Sequence, residues 1–126
     1  MIKRDIKDRN DIYIIVDDFY KKLLFDEEMQ HFFEKFNDDA TLHKHLNVLV
    51  DFWDNILFYS GTYGKNAMLP HIALNKTKPF RKDHFNLWLQ YFYESVDKNF
   101  EGEMTEIAKN RATSIATVMK LKILKF

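Results

Sequence analysis

The sequence predicts an all-α fold, and three observations support this prediction. Only three glycines and two prolines interrupt the 126 residues, and these are the residues that most often end helices. Apolar residues recur at intervals of three and four along most of the chain, which is the period of an amphipathic helix. No segment alternates apolar and polar residues for long enough to indicate a strand.

The first long helix is expected to run from Asn10 or Asp11, either of which could be its N-cap, to about Phe25. A shorter turn follows over residues 27–36. The second long helix is expected to begin near Asp38 or Asp39. Its apolar stripe includes His45, whereas His43 lies two positions earlier and points elsewhere, because neighbours on one helical face are three or four residues apart.

Residues 63–74 are predicted to form one or two short turns around His71, followed by a basic loop over residues 75–78. The next helix is expected to start at Pro79, since proline suits the first helical turn. One face of that helix carries Phe85, Trp88 and Phe92. The last helix is expected to begin near Gly102 or Glu103, and it presents an apolar face with the members Met104, Ile107, Ala108, Ala112, Ile115, Val118, Met119 and Ile123.

Composition limits the classes of protein that the chain can belong to. Its length predicts one domain, residues 1–126. Nineteen basic and nineteen acidic residues give no net charge, which argues against a nucleic-acid partner. No apolar run approaches the roughly 20 residues that span a bilayer, and the charged N-terminus lacks the apolar core of a signal peptide. We therefore expect a cytoplasmic protein with no membrane partner, and a monomer, because no apolar seam indicates a dimer.

Several kinds of chemistry lack their motifs. The chain has no cysteine, which excludes thiolate catalysis and cysteine-ligated zinc. It has no His-Glu-x-x-His motif, no paired Glu-x-x-His units, no Gly-x-Ser-x-Gly and no phosphate-binding glycine loop. Metal cages built from protein ligands alone, hydrolases and nucleotide-binding enzymes are therefore disfavoured.

A haem site remains as the chemical interpretation. Haem iron is commonly held by a histidine in an apolar slot, with polar donors on the opposite, distal side. His71 is the candidate iron ligand, and Tyr20, His45 and Trp88 are the candidate distal residues. Each of these has an ordinary structural interpretation when taken alone, as a core-edge tyrosine, a buried histidine or a core tryptophan.

Taken together and in order, these residues resemble the truncated haemoglobins, and most closely the group III branch of that bacterial family. The matching segments are Asp18-Phe19-Tyr20, Phe32-Phe33, His45 with Phe52-Trp53, Tyr63, Met68 to Leu74, and His84 to Phe92. The similarity runs from about residue 11 to residue 119. It implies a shortened globin fold, a helical sandwich around haem b (iron protoporphyrin IX).

The resemblance also implies a role for each site residue. His71 would be the proximal iron ligand, Tyr20 and Trp88 would donate hydrogen bonds to a distal ligand, and His45 would lie at the distal mouth. The residues expected to line the haem are Phe33, Leu49, Tyr63 and Met68. The basic residues Lys76, Lys78 and Arg81, together with Lys82, are candidates to pair with the haem propionates, and the sequence does not choose among them.

The expected function is binding of a diatomic gas, O₂, NO or CO. Two distal donors favour O₂ or NO chemistry over bulk transport, either as an NO dioxygenase or in a peroxidase-like reaction that needs a separate electron donor. Two alternatives stay open at this point: an O₂ carrier or storage protein, and a haem-based sensor or interaction module.

Overall fold

The computed structural model describes residues 3–61, 63–64 and 66–124. These residues form five α-helices, one 3₁₀ helix and no strand, so the all-α prediction is confirmed. In chain order the elements are α1 (Arg9–Phe25), the 3₁₀ helix (Gln30–Phe36), α2 (Asp39–Phe58), α3 (Met68–Thr77), α4 (Lys82–Asn99) and α5 (Glu103–Leu124). Within the described ranges, no helix is both long and apolar enough to cross a membrane.

The core lies where α1 packs against α2 and α4, and where α4 packs against α5. Its centre is Phe92, whose ring stacks on Trp53 at 4.7 Å and on Trp88 at 5.9 Å between ring centroids. The Phe19 ring meets Phe92 edge-on at 5.4 Å. Because Trp88 also belongs to the candidate site, the core and the site share one layer of aromatic rings.

The apolar face of α1 is buried as predicted, but the start of this helix was predicted too late. The cap is Asp8, whose Oδ1 accepts the backbone N–H of Asp11 at 3.1 Å. Asp11 is itself buried, and both of its carboxylate oxygens accept hydrogen bonds from Arg4. An acidic residue near a helix start can therefore be a cap or an ion-pair partner, and only the tertiary structure distinguishes the two.

The predictions for α2 and α3 had different outcomes. Asp38 caps α2 by accepting the N–H of Thr41, as the sequence indicated. The segment around His71 is a ten-residue helix, α3, rather than one or two short turns. The predicted basic loop is wrong over residues 75–77, because these residues complete α3, and Lys78 is its C-cap.

The predicted start of α4 at Pro79 is also wrong, since the helix begins at Lys82 with Arg81 as its N-cap. The reason lies in two side-chain acceptors. The backbone N–H of Phe80 donates to Asn75 Oδ1 at 2.8 Å, and that of Arg81 donates to His84 Nδ1 at 2.8 Å. These bonds hold the linker extended and delay the first helical turn.

The start of α5 is capped by a residue from the other end of the chain. Asp5 accepts the backbone N–H groups of Met104 and Thr105 at 2.8 and 2.9 Å, and also the Thr105 hydroxyl at 2.8 Å. The predicted apolar face of α5 is correct at Ala108 and Ala112, which are buried, but wrong at Ile107 and Val118, which are exposed. Apart from Ile123, the buried residues of α5 are small, which suits the packing of α4 against this helix.

Candidate functional site

A buried tyrosine–histidine pair joins α1 to α2. The Tyr20 hydroxyl lies 2.8 Å from His45 Nε2, and the two rings meet edge-on with centroids 5.3 Å apart. Tyr20 is buried on the apolar face of α1, whereas His45 is half-buried one turn before Leu49 on α2. The structure thus brings together two of the residues that the sequence assigned to the distal side.

Both members of this pair are neutral near pH 7. Burial raises the pKa of Tyr20 well above its usual value, so its phenol keeps its proton. Burial, together with the nearby charges of Lys35 and His71, lowers the pKa of His45 to about 4. A neutral imidazole carries one N–H and one lone pair, so the tautomer of His45 decides which partner donates the Tyr20–His45 hydrogen bond.

Two phenylalanines of the 3₁₀ helix enclose the pair. The Phe36 ring stacks on His45 at 4.1 Å with an angle of 18° between the rings. Phe33 packs edge-on against Tyr20 at 5.3 Å. Phe36 was not predicted as a site residue, although its spacing of three residues from Phe33 was a usable signal.

His71 lies on α3 with its ring held by the helix itself. Its Nδ1 lies 2.7 Å from the carbonyl oxygen of Ala67, so Nδ1 carries the proton and donates to that carbonyl. Burial lowers the pKa of His71, and the bond to Ala67 only partly opposes this effect. The imidazole is therefore neutral, and the lone pair on Nε2 has no hydrogen-bond partner among the described residues.

Among the described residues, the two histidine-bearing helices, α2 and α3, are not packed extensively against each other. In the described part of the chain, α3 packs on α5 and makes no extensive contact with α2, and none of its residues is fully buried. The inner side of α3 still carries half-buried apolar residues, including Met68 and Leu74. A positive charge on His71 would nonetheless be near enough to His45 to lower the pKa of His45.

These features fit a haem group. Metal-bound histidines usually donate their second ring N–H to a carbonyl or carboxylate, as His71 does to Ala67. A neutral histidine on each of two helices, with half-buried apolar side chains beside it, is the type of residue set that holds a porphyrin. The fit rests on His71 and the helix arrangement rather than on any single aromatic residue.

The remaining predicted site residues lie on α4, on α2 and in the segment before α3. Trp88 is half-buried on α4, where Phe19 packs edge-on against its ring at 5.6 Å. Its indole N–H has no hydrogen-bond acceptor among the described residues. Leu49 is partly buried against the core, and Tyr63 packs edge-on against Phe52 at 5.2 Å. Tyr63 therefore contacts α2 directly, whereas its neighbours 62 and 65 lie outside the described residues.

Of the basic residues predicted to bind propionates, some already have partners within the protein and others do not. Lys78 Nζ donates to the carbonyl of His31 at 2.6 Å and to Glu34 Oε2 at 2.8 Å. Arg81 forms an ion pair with Glu28 at 3.0 Å. Lys76 is exposed and has no partner in the part of the chain that the structure describes. Lys82, the fourth candidate, is likewise exposed and has no partner among the described residues. Of the four predicted cations, Lys76 and Lys82 therefore remain uncommitted.

His84 was not assigned a role from the sequence beyond its place in the family pattern. It is buried on α4, where its Nδ1 accepts the N–H of Arg81, while its Nε2 has no partner among the described residues. Its ring lies edge-on to Phe32 at 4.8 Å. His84 thus fixes the start of α4, a role that the sequence alone did not indicate.

A separate surface depression of about 490 Å³ is lined by Lys22, Phe25, Asp26, Glu27, Glu28 and Tyr91. It lies on the outer side of the junction between α1 and the 3₁₀ helix. None of the predicted site residues lines it. The depression is therefore not part of the candidate site.

Comparison with known proteins agrees with this geometry. No protein-family model matches the chain. A group 3 truncated haemoglobin of Campylobacter jejuni is 26% identical over 110 residues, which cover 86% of this chain and 84% of that protein. The crystal structure of the group III truncated haemoglobin from Campylobacter jejuni superposes with a TM-score of 0.88 at 24% identity, covering 97% and 95% of the two chains.

A second solved structure extends the likeness of the fold. The 2/2 haemoglobin of Synechococcus sp. PCC 7002, in the cyanomet state and with covalently attached haem, superposes with a TM-score of 0.77 at 18% identity. The alignment covers 94% of this chain and 93% of that one. The shortened globin fold and the resemblance to group III truncated haemoglobins, both predicted from the sequence, are confirmed.

Proposed function

We propose that this chain, which has the truncated-globin fold and resembles the group III truncated haemoglobins, binds haem b between α2 and α3 and uses it to bind a diatomic gas. The observation that supports this most directly is the state of His71. Its Nδ1–H is bound to Ala67 at 2.7 Å, which leaves the Nε2 lone pair available to a metal. Ferrous haem, when bound, would supply the iron atom at which O₂, NO or CO is held.

The proximal side would be held by α3. His71 is neutral because burial lowers its pKa, and a neutral imidazole is the form that coordinates iron. The bond to Ala67 fixes both the tautomer and the orientation of the ring, which is the usual role of such outer contacts at metal sites. Met68 of α3 would line the group on this side, and Phe33, Leu49 and Tyr63 would line it elsewhere.

The distal side would be formed by Tyr20, His45 and Trp88. If His45 is protonated at Nε2, it donates to the Tyr20 oxygen, and the phenol proton is then free to point at a ligand. If His45 is protonated at Nδ1, the Tyr20 proton is used on His45 instead. The indole N–H of Trp88 has no competing acceptor among the described residues, so it can donate in both cases.

The two donors favour O₂ or NO chemistry. A hydrogen bond to a charged acceptor contributes about 1.5–3 kcal/mol, so each donor can slow the release of a polarised ligand by roughly ten- to hundred-fold. Slow release suits reaction of the ligand, such as NO dioxygenation or peroxide-linked redox chemistry, better than bulk transport. Such reactions require an electron donor, and we expect a cytoplasmic monomer that meets a separate reductase.

The Tyr20–His45 hydrogen bond favours a second candidate function, an O₂ carrier or storage protein. While that bond is made through the phenol proton, only Trp88 can donate to the ligand, and release is correspondingly faster. The two functions therefore differ in the number of donors that act on the ligand, which ligand-release rates measure directly.

Haemin titration of purified haem-free protein tests the proposal, with His71→Ala and His43→Ala as a matched pair. His43 is exposed on α2 and bonds only to Tyr13 at 3.2 Å. We expect the unaltered chain and His43→Ala to take up one equivalent with a Soret band, and His71→Ala to lose or shift that band. A folded chain that takes up no haemin, or a His71→Ala spectrum identical to that of the unaltered protein, would contradict the proposal.

A further inference from the structure

The 3₁₀ helix lies between the two sides of the candidate site. On one of its sides, Phe36 stacks on His45 at 4.1 Å, and Phe33 packs against Tyr20 at 5.3 Å. The backbone leaves helical geometry at Phe33 (φ −116°, ψ 18°), which divides the helix into two short parts. The position of this element therefore determines how tightly the distal pair is enclosed.

The opposite side of the 3₁₀ helix is bound to the end of the helix that carries His71. Lys78, the C-cap of α3, donates from Nζ to the carbonyl of His31 at 2.6 Å and to Glu34 Oε2 at 2.8 Å. Beside these bonds, the Phe80 ring stacks on Phe32 at 4.6 Å. Lys78, together with the Phe80–Phe32 stack, thus connects the end of the proximal helix to the element that touches the distal residues.

The two Lys78 bonds differ in expected strength. The Glu34 side chain is 69% exposed, and exposed ion pairs contribute little to stability. The neighbouring Arg81–Glu28 pair is 62% exposed at both partners and contributes little for the same reason. The bond to the His31 carbonyl is partly buried and has a charged donor, and such bonds are about twice as strong as neutral ones. It is therefore the stronger of the two Lys78 bonds.

Helix α3 has few other contacts that could fix its position, so the bonds of Lys78 matter more for it than a single contact would for the other helices. None of its residues is fully buried, and in the described part of the chain it packs on α5 alone to any extent. Its N-terminal end is preceded by residues 59–67, which form no regular structure where they are described. A contact at its C-terminal end thus has a large share in fixing where α3 lies.

We propose that Lys78 is a positioning residue, which holds the 3₁₀ helix to the end of α3 and thereby sets the packing of Phe36 and Phe33 on the distal pair. The effect of Lys78 on ligand binding rests on the function proposed above, whereas the contact between Lys78 and the 3₁₀ helix does not depend on that function. This role replaces the propionate pairing predicted from the sequence, since two of the three ammonium donors are already engaged within the protein.

Hydrogen exchange of the full-length, haem-free chain tests the contact independently of haem. The variants are Lys78→Met, Lys78→Arg and, as a matched control, Lys76→Met, because Lys76 is an exposed lysine at the end of the same helix. We expect Lys78→Met to accelerate exchange over residues 30–36 by about tenfold, as for loss of a bond to a charged donor. Lys78→Arg should restore protection, and Lys76→Met should not alter it.

The haemin-loaded variants test the effect on the distal pair. The stretching frequency of bound CO reports the polarity of the distal side, and we expect Lys78→Met to shift or broaden this band while Lys76→Met and Lys78→Arg leave it unchanged. If Lys78→Met does not fold, Lys78→Gln takes its place, since it keeps a neutral donor at that position.

Two outcomes would overturn the proposal. Unchanged exchange over residues 30–36 in Lys78→Met would show that Lys78 does not hold the 3₁₀ helix. Faster loss of haemin from Lys78→Met, with unchanged exchange and an unchanged CO band, would make Lys78 a propionate partner instead. A chain that takes up no haemin would contradict the proposed function, and the exchange measurement would still decide whether Lys78 fixes the helix.

Discussion

At the scale of single residues, α1 and α2 contain two tyrosine–histidine pairs that differ mainly in burial. Tyr13 and His43 are joined at 3.2 Å near the surface, and Tyr20 and His45 at 2.8 Å in the interior. Water competes for the first pair and is largely excluded from the second, where unmet hydrogen-bonding groups are costly. The same chemistry can therefore affect ligand binding at Tyr20 and remain incidental at Tyr13.

The substitution Tyr20→Phe removes one distal donor while keeping the ring. We expect ferrous O₂ release to become about ten- to hundred-fold faster, because a hydrogen bond to a charged acceptor contributes about 1.5–3 kcal/mol. Stopped-flow ligand displacement measures this rate. Trp88→Phe should act in the same direction.

Tyr13→Phe is the matched control for that experiment, since it removes the equivalent hydroxyl from the exposed pair. Its release rate should equal that of the unaltered chain. If Tyr20→Phe also leaves the rate unchanged while Trp88→Phe raises it, Tyr20 is committed to His45, and the carrier function becomes the better interpretation.

At the scale of elements, helix ends show most clearly where local sequence stops being informative. The caps of α1 and α2 are aspartates that accept an N–H three residues later. The cap of α2 was predicted from the sequence, whereas the cap of α1, Asp8, was missed in favour of Asn10 or Asp11. The cap of α5 is Asp5, about a hundred residues away, which accepts two N–H groups and a hydroxyl. Gly102 lies beside it with φ +139°, and a Cβ there would lie 2.6 Å from Asp5 Cγ.

The substitution Asp5→Ala should lower the free energy of unfolding by about 1–3 kcal/mol, because it removes a helix cap and leaves buried donors without an acceptor. Urea unfolding followed by circular dichroism measures the change. Glu101→Gln is a suitable control, since the Glu101 side chain makes only a 3.3 Å exposed contact with the backbone of Lys3. Equal stability of Asp5→Ala and the control would show that the cap is energetically unimportant.

The outcome for the helices follows from the range of the interactions involved. The periodic apolar faces of α1 and α4 are local patterns, and their residues are buried as predicted except Trp88, which is half-buried. The start of α4 was predicted three residues early, because His84 and Asn75 hold the linker through side-chain contacts that proline alone does not reveal. The length of α3 was underestimated, since its weak apolar pattern gives little local signal.

At the scale of the whole molecule, the buried histidines make the stability of the fold depend on pH. Burial lowers the folded-state pKa values of His45, to about 4, and of His71 and His84. The unfolded chain, with ordinary histidine pKa values near 6.5, therefore binds more protons than the folded chain below that pH. These histidines contribute stability that is present above pH 6.5 and is lost as the pH falls toward 4.

We accordingly expect the urea concentration at the midpoint of unfolding of the haem-free chain to decrease as the pH is lowered from 7.5 to 4.5. His45→Gln should reduce this dependence, whereas His43→Gln, at an exposed position, should leave it unchanged. At still lower pH a second loss should follow, since the bond from Arg4 lowers the pKa of Asp11 and its protonation breaks that bond. A midpoint independent of pH above 4.5 would contradict the first expectation.

The sequence by itself determined the features that depend on neighbours along the chain: six helical segments, the burial of Tyr20, the place of His45 on an inward stripe, and His71 between two aromatic helices. It could not determine the partners of Lys78, Arg81 and Asp5, because their charges meet groups dozens of residues away. Lys78 bonds to His31 and Glu34 rather than standing free, and only the packing of the 3₁₀ helix against the end of α3 brings them together.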